Sequence, residues 1–123
     1  MNAIGFDHVQ LAMPAGLEAE AVAFYEGVLR IPQVAKPPQL AGRGGCWFEA
    51  GAVKIHLGVD PDFRPANKSH PALIVTDLQA LTVSVAAAGL PVIEAEPLDG
   101  FVRAHISEPF GNRIELVQSI RTG

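Results

Sequence analysis

A chain of 123 residues, 49% apolar and 18% charged, has the material for one hydrophobic core and is too apolar to be disordered. Its net charge of −4 leaves no basic footprint for nucleic acid or for an anionic membrane surface. Cys46 is the only cysteine, which excludes an intrachain disulfide and fits a reducing, cytoplasmic setting.

The first residues, Met1 to His8, lack the basic and apolar regions of a signal peptide. Asp7 to Met13 then alternates polar and apolar positions, His8, Gln10 and Ala12 against Val9, Leu11 and Met13, which predicts a strand. Pro14 to Gly16 break it, and Leu17, Ala21, Phe24, Val28 and Leu29 recur at helical spacing up to Arg30. Ile31-Pro32 ends that helix. A short strand is expected over Gln33 to Ala35, a Pro/Gly-rich loop over Lys36 to Gly44, and a hairpin of Gly45–Ala50 with Val53–Val59 around Gly51-Ala52.

After a polar linker from Asp60 the same order returns. His70 to Val75 reads as a strand, and Thr76-Asp77 as the N-cap of a helix with Leu78, Leu81, Val85 and Ala88 on one face. The stretch from Val83 to Val92 is far too short to span a bilayer. Gly89-Leu90-Pro91 closes the helix, and strands follow at Val92–Glu94, Phe101–Ser107 and Asn112–Gln118, with a loop at Glu96 to Gly100. Each half is thus β-α-β-β-β. Ile31-Pro32 and Leu90-Pro91 lie 59 positions apart, as do His56 and Glu115, while His8 and His70 lie 62 apart. The extra turn at Pro14–Gly16 absorbs the difference, so the chain is an internal repeat. Its halves are module one, about 4–60, a linker at 60–68, and module two, about 68–119, of a single domain.

Each half carries a polar residue at the head of its first strand, His8 or His70, and one within its last, His56 or Glu115. Two related halves packed about a pseudo-twofold axis would bring the four together. Imidazoles and a carboxylate are ligands for a divalent cation, and no thiolate is offered among them. A carboxylate inside an apolar strand, as Glu115 is between Ile114 and Leu116, is costly unless paired, hydrogen-bonded or metal-bound. Taken singly, each of these residues reads as well as a hydrogen-bonded or solvent-facing side chain. Their repeat-equivalent placement is what favours a site.

Asp7-His8-Val9-Gln10-Leu11, Lys54-Ile55-His56-Leu57, Ser69-His70-Pro71-Ala72-Leu73 and Glu108-Pro109-Phe110-Gly111-Asn112-Arg113-Ile114-Glu115-Leu116 resemble the vicinal oxygen chelate superfamily of glyoxalases, extradiol dioxygenases, fosfomycin-resistance enzymes, epimerases and bleomycin-sequestering proteins. The resemblance covers essentially the whole chain. It implies an α+β fold in which two βαβββ modules form a curved, cup-shaped mixed sheet with helices on the outside. It further implies a metal held by His8, His70 and Glu115, with His56 where glyoxalases place a fourth ligand, usually Glu or Gln. That departure counts against glyoxalase activity itself and leaves metal binding intact, since imidazole also ligates. The expected cofactor is one divalent ion, Fe, Mn, Ni, Co or Zn.

Glu115 and His105 are the expected catalytic residues, His105 standing where relatives use an aromatic side chain against substrate. Arg103 shares the face of His105 and suits an anionic group, and Gln10 shares the face of His8 and suits substrate orientation. Cys46, 59 positions before His105, lines the cup as its repeat mate or is a buried inert thiol. Arg64 and Lys68 read as lips over the site or as solvated charges, and Trp47, Phe48 and Phe101 as an apolar wall or as core. No phosphate-cradling loop and no Ser-His-Asp order is present. The expected function is a metal-dependent enzyme acting on a small substrate with vicinal oxygens. Lyase or isomerase chemistry is favoured over oxygenase, because extradiol relatives usually carry two such domains. No counterpart is found for the potassium-binding loop of the fosfomycin enzymes. The alternative is a non-catalytic binding protein of the bleomycin-resistance type. The partners expected are a small molecule and a second copy of the chain in a homodimer, with no nucleic acid or membrane.

Overall fold

The structure is a computed structural model and describes residues 1–120. It divides into two compact units, residues 1–64 and the chain from Pro65 onward. In the first unit the elements are β1 (Val9–Met13), α1 (Glu18–Tyr25), β2 (Gln33–Val34), a 3-10 turn (Ala41–Arg43), β3 (Cys46–Ala50) and β4 (Val53–Val59). In the second they are β5 (Ala72–Ile74), α2 (Leu78–Ala87), β6 (Val92–Leu98), β7 (Phe101–Ser107) and β8 (Arg113–Ser119). Each unit holds a four-stranded mixed sheet, ordered β1-β4-β3-β2 and β5-β8-β7-β6. The first strand of each is parallel to the last, and the other pairs are antiparallel. The repeat read from the sequence is therefore present as β-α-β-β-β in both halves. No helix among the described residues is long and apolar enough to cross a membrane.

In both sheets one face packs on the helix. Tyr25 of α1 stacks on Phe48 at 5.1 Å, and Cys46, Phe48, Ile55 and Leu57, directly opposite one another across β3 and β4, are buried on that side. In the second unit Val85 of α2 is buried, as are Ala104, Ile106, Ile114 and Leu116. Burying each large aliphatic or aromatic side chain contributes about 1.5–3 kcal/mol. Strand alternation then sends Trp47, Glu49, Lys54 and His56 to the other face of the first sheet, and Arg103, His105 and Glu115 to the other face of the second.

Strand ends shift by one or two residues, so that His8 and His70 stand just before β1 and β5, and three elements depart further from the sequence reading. The first helix ends at Tyr25 instead of Arg30, because the chain loosens into wider turns. The amides of Gly27 and Leu29 reach carbonyls five positions back, on Val22 and Phe24, and Ile31 reaches Tyr25. A Cβ at Gly27 would stand 2.3 Å from the Ala23 carbonyl oxygen, so only glycine fits that turn. The strand expected at Val92–Glu94 runs on to Leu98 with a register shift after Ala95. Its Pro97, lacking an N–H, is tolerated because β6 is a sheet edge. Of the apolar face expected on α2, Val85 is buried, Leu78 and Leu81 are half-buried and Ala88 is exposed at the cap. The cap itself is as expected, with Asp77 Oδ1 accepting from the Ala80 amide at 3.0 Å.

The Glu108–Asn112 turn is built more tightly than its turn residues alone imply. Glu108 is 1% exposed, and its Oε1 accepts from the amides of Phe110 and Asn112 at 2.8 and 2.9 Å. Asn112, equally buried, accepts from the Ala66 amide at 2.9 Å.

Candidate metal centre and its repeat mate

The β5 strand begins alongside the middle of β8, where the Glu115 amide donates to the Pro71 carbonyl at 2.9 Å. This sets His70 next to the Glu115 carboxylate, with Nε2 3.1 Å from Oε1. Across the β7–β8 ladder His105 is the direct partner of Glu115, and its Nε2 lies 3.5 Å from the same oxygen. Arg103, on the same face, aims Nη1 at Oε2 at 3.5 Å, while its Nε donates to the Glu96 carbonyl at 2.9 Å. Burial pushes the Glu115 carboxyl up. The hydrogen bond from His70 and the charges of Arg103 and His105 outweigh it and hold Glu115 below the ordinary carboxylate range.

The donor set fits a divalent cation. The ligand atoms of His70, His105 and Glu115 all lie within 4.8 Å of one another. Donors held at about 2.0–2.2 Å from one ion lie roughly 3–3.5 Å apart, which matches the two histidine–carboxylate distances. The His70 tautomer points the same way. Its Nδ1 lies 2.8 Å from the Lys68 carbonyl, which can only accept, so Nδ1 carries the proton. A ring carrying a second proton donates from Nε2 to Glu115 as well; with the Nδ1 proton alone, Nε2 presents a lone pair toward the carboxylate, where a cation takes the place of that second proton. A backbone carbonyl on the far nitrogen is also how ligating histidines are commonly oriented.

In the first unit the equivalent positions do something else. His56 lies between two rings, Trp47 at 3.7 Å and 2° from parallel, and His8 at 4.2 Å and 18°. This makes His56 only 3% exposed. Its Nε2 donates to Glu49 Oε2 at 2.8 Å, and its Nδ1 is buried without a hydrogen-bond partner. His8 Nδ1 meets Asp7 Oδ2 at 2.9 Å, and Lys54 stands 3.8 Å from Asp7. The His8 hydrogen bond first, and the Lys54 charge after it, hold the Asp7 carboxyl below its ordinary value.

The expected ligands thus form pairs within their own units, His8 with His56 and His70 with Glu115. His105, expected to be catalytic and to touch substrate, lies in the group of possible donors around Glu115. Gln10 is paired with His56 in the β1–β4 register, on the sheet face turned away from α1. The substrate-lining role expected for Cys46 is corrected. Cys46 is 2% exposed on the helix-covered face, opposite Leu57, and burial pushes its thiol up to about 11. Its assignment as mate of His105 fails because the hairpins differ. β3 and β4 close through two residues, Gly51-Ala52, whereas β7 and β8 close through five, so the residue in the place of His105 is Trp47. Glu49, which anchors His56, carries no motif of its own in the sequence. The two-residue hairpin was the signal, since it alone sets Trp47 opposite His56 and Glu49 on the same face. Arg64 and Lys68 are exposed.

Among solved structures the chain is similar to a glyoxalase family protein from Bacillus anthracis, described as putative by those who solved it, with 41% identity over 97% of this chain and 98% of that one and a TM-score of 0.89. It is also similar to a fosfomycin resistance protein, FosX, from Listeria monocytogenes, solved with Mn(II) and 1S,2S-dihydroxypropylphosphonic acid. There the identity is 13%, over 96% of this chain and 94% of that one, with a TM-score of 0.79. A glyoxalase/dioxygenase from Nostoc punctiforme gives 13% identity, 98% and 99% coverage, and a TM-score of 0.74. No protein-family model matches the chain, and no curated protein matches it.

Proposed function

As the chain belongs to the glyoxalase family, within the vicinal oxygen chelate superfamily, we propose that it is a metal-dependent enzyme acting on a small molecule with two neighbouring oxygens, as an isomerase or lyase rather than an oxygenase. The observation that carries this reading is the group of two imidazoles and one carboxylate on the face of the second sheet turned away from α2. His70, His105 and Glu115 would hold the ion, and a three-donor set leaves coordination positions for substrate. A divalent cation bound there supplies Lewis acidity toward substrate oxygens. Arg103 holds the Glu115 carboxylate in place and keeps guanidinium donors for negative charge developing on substrate. We further propose a homodimer, which equilibrium sedimentation tests.

The test is metal analysis of protein purified without chelator, together with thermal melts in added manganese, nickel, cobalt, zinc or ferrous iron. A bound ion, and a melting temperature that rises with metal concentration, is the expected result, since a ligand of the folded state stabilises it by mass action. If melting ignores every metal and chelators change nothing, a small-molecule-binding protein of the bleomycin-resistance type takes the place of the enzyme.

A further inference from the structure

The loop between β2 and β3 builds a second feature, wholly within the first unit. Pro37 and Pro38 stiffen its start, and the amides of Leu40 and Arg43 bond back to the carbonyls of Pro37 and Leu40. Its end is tied down twice, by Lys36 Nζ donating to the Gly44 carbonyl and by the Gly45 amide donating to Glu18 Oε2 at 3.0 Å. Gly44 and Gly45 adopt φ of +76° and +79°, which lets the chain turn sharply into β3. A pocket of about 250 Å³ opens beneath this loop, lined in part by Lys36, Leu40, Arg43, Trp47, Gln10 and Gly58. Gly58 keeps the pocket floor free for the Gln10 amide, because a Cβ there would stand 2.6 Å from Gln10 Nε2.

The lining has a definite chemistry. Lys36 spends one of its three N–H donors on Gly44 and keeps two, and the Arg43 guanidinium makes no ion pair among the described residues. The neighbouring carboxylate, Glu18, is engaged by the Gly45 amide. Gln10 adds an amide donor, while Leu40 and the Trp47 indole supply apolar surface. Two cations and an amide lining one pocket with an indole and an aliphatic side chain suit an anionic head on a compact apolar body. We infer that this pocket is a binding subsite for the carboxylate of a small organic acid. The inference deepens the functional reading by naming the substrate class. It rests on that reading for calling the ligand a substrate, though the binding itself does not need the metal.

Trp47 is the only tryptophan in the chain and lines the pocket, so its fluorescence reports occupancy directly. Chelator-treated protein at one neutral pH is titrated with cyclohexanecarboxylate, with cyclohexylmethanol as the uncharged isostere and with inorganic phosphate as an anion lacking the apolar body. The acid should give a saturable change in Trp47 emission, and the other two should give none at the same concentrations. Arg43→Gln alters an exposed side chain and should leave the fold intact while weakening the acid about tenfold, with Lys36→Met acting in the same direction. No saturable response to the acid, an equal response to the alcohol or to phosphate, or unchanged affinity in Arg43→Gln would each overturn the inference. Because metal is absent from the titration, failure here is separable from failure of the metal reading, which the melts decide.

Discussion

The two units share strand order and ladder geometry, yet the central residue of the last strand keeps opposite company in each. His56 of β4 faces Trp47 across the ladder, lies against His8, and is closed off from solvent by rings. Glu115 of β8 faces His105, touches His70 and Arg103, and is surrounded by positive or proton-bearing groups. The backbone supplies the same positions twice, and a few side chains decide what they do. In the first unit the polar residue is packed as part of an aromatic wall with its hydrogen bond directed to Glu49. In the second, a carboxylate is held where a cation can share its charge. A repeat of this kind can keep one copy as chemistry and use the other as surface for recognition.

The largest expected effect removes the charge that separates the two. Glu115→Gln keeps shape and an acceptor oxygen, and should lower metal affinity by on the order of 100-fold or more while the fold survives. Ion retained after dialysis and calorimetric titration with manganese measure it, and wild-type retention would refute the assignment. The same carboxyl titrates below its ordinary 4.5, because His70 and Arg103 outweigh the upward push of burial. Its contribution to folding is therefore present above pH 4.5 and lost as pH falls through the lower folded value. Acid unfolding of metal-free protein should have that component flattened in Glu115→Gln.

Paired alanine variants sharpen the contrast next. His105→Ala should weaken metal roughly 10–100-fold with little change in metal-free stability. His56→Ala should keep its metal and lose about 2–3 kcal/mol of stability, because it opens a cavity between Trp47 and His8 and strands Glu49. Metal loss in His56→Ala would mean that its unpartnered Nδ1 is a ligand after all.

Cys46 gives a smaller effect with a defined window. Its thiol is raised from 9.0 to about 11 by burial, so the stability it contributes is complete below pH 9 and falls by about 2 kcal/mol as pH rises to about 11. Denaturation curves across that range should lose this slope in Cys46→Ala, and thiol reagents should react slowly with the native protein at neutral pH. The smallest effect concerns the helices. α2 begins at a side-chain cap and α1 does not, so Asp77→Ala should cost about 1 kcal/mol. A cost near zero by urea denaturation would mean the cap bond is replaced by water.

Much of this was legible in the residues. Alternation in Val53–Val59 and Phe101–Ser107 placed both strands to the residue, and the spacing of Ile31-Pro32 and Leu90-Pro91 exposed the repeat. His70, Arg103, His105 and Glu115 each stand out in the sequence as site residues, and three of them form the donor group. What the pattern could not supply was ladder register. The shift of Cys46 to the core face and the placing of Trp47 opposite His56 both follow from a hairpin two residues long against one of five. A uniform offset of 59 hides that difference, although the turn at Gly51-Ala52 contained it. The early end of α1 was also hidden, since the apolar spacing continues through Val28 and Leu29. Only the tight approach of Gly27 to the Ala23 carbonyl reveals that the chain has left the helix.

The Glu108–Asn112 turn reaches further than its own five residues. Asn112 holds the Ala66 amide, 46 positions back, and the Arg113 amide returns to the Ala66 carbonyl at 2.8 Å. The start of the second unit is thereby buttoned to the head of β8. A protease probing the stretch between the units should find purchase at Asp60 to Arg64, which is largely exposed, and lose it at Ala66. In hydrogen exchange, the amides of Ala66, Phe110, Asn112 and Arg113 should exchange as one group, because none of them can open until the buried Glu108 carboxylate lets go of the turn.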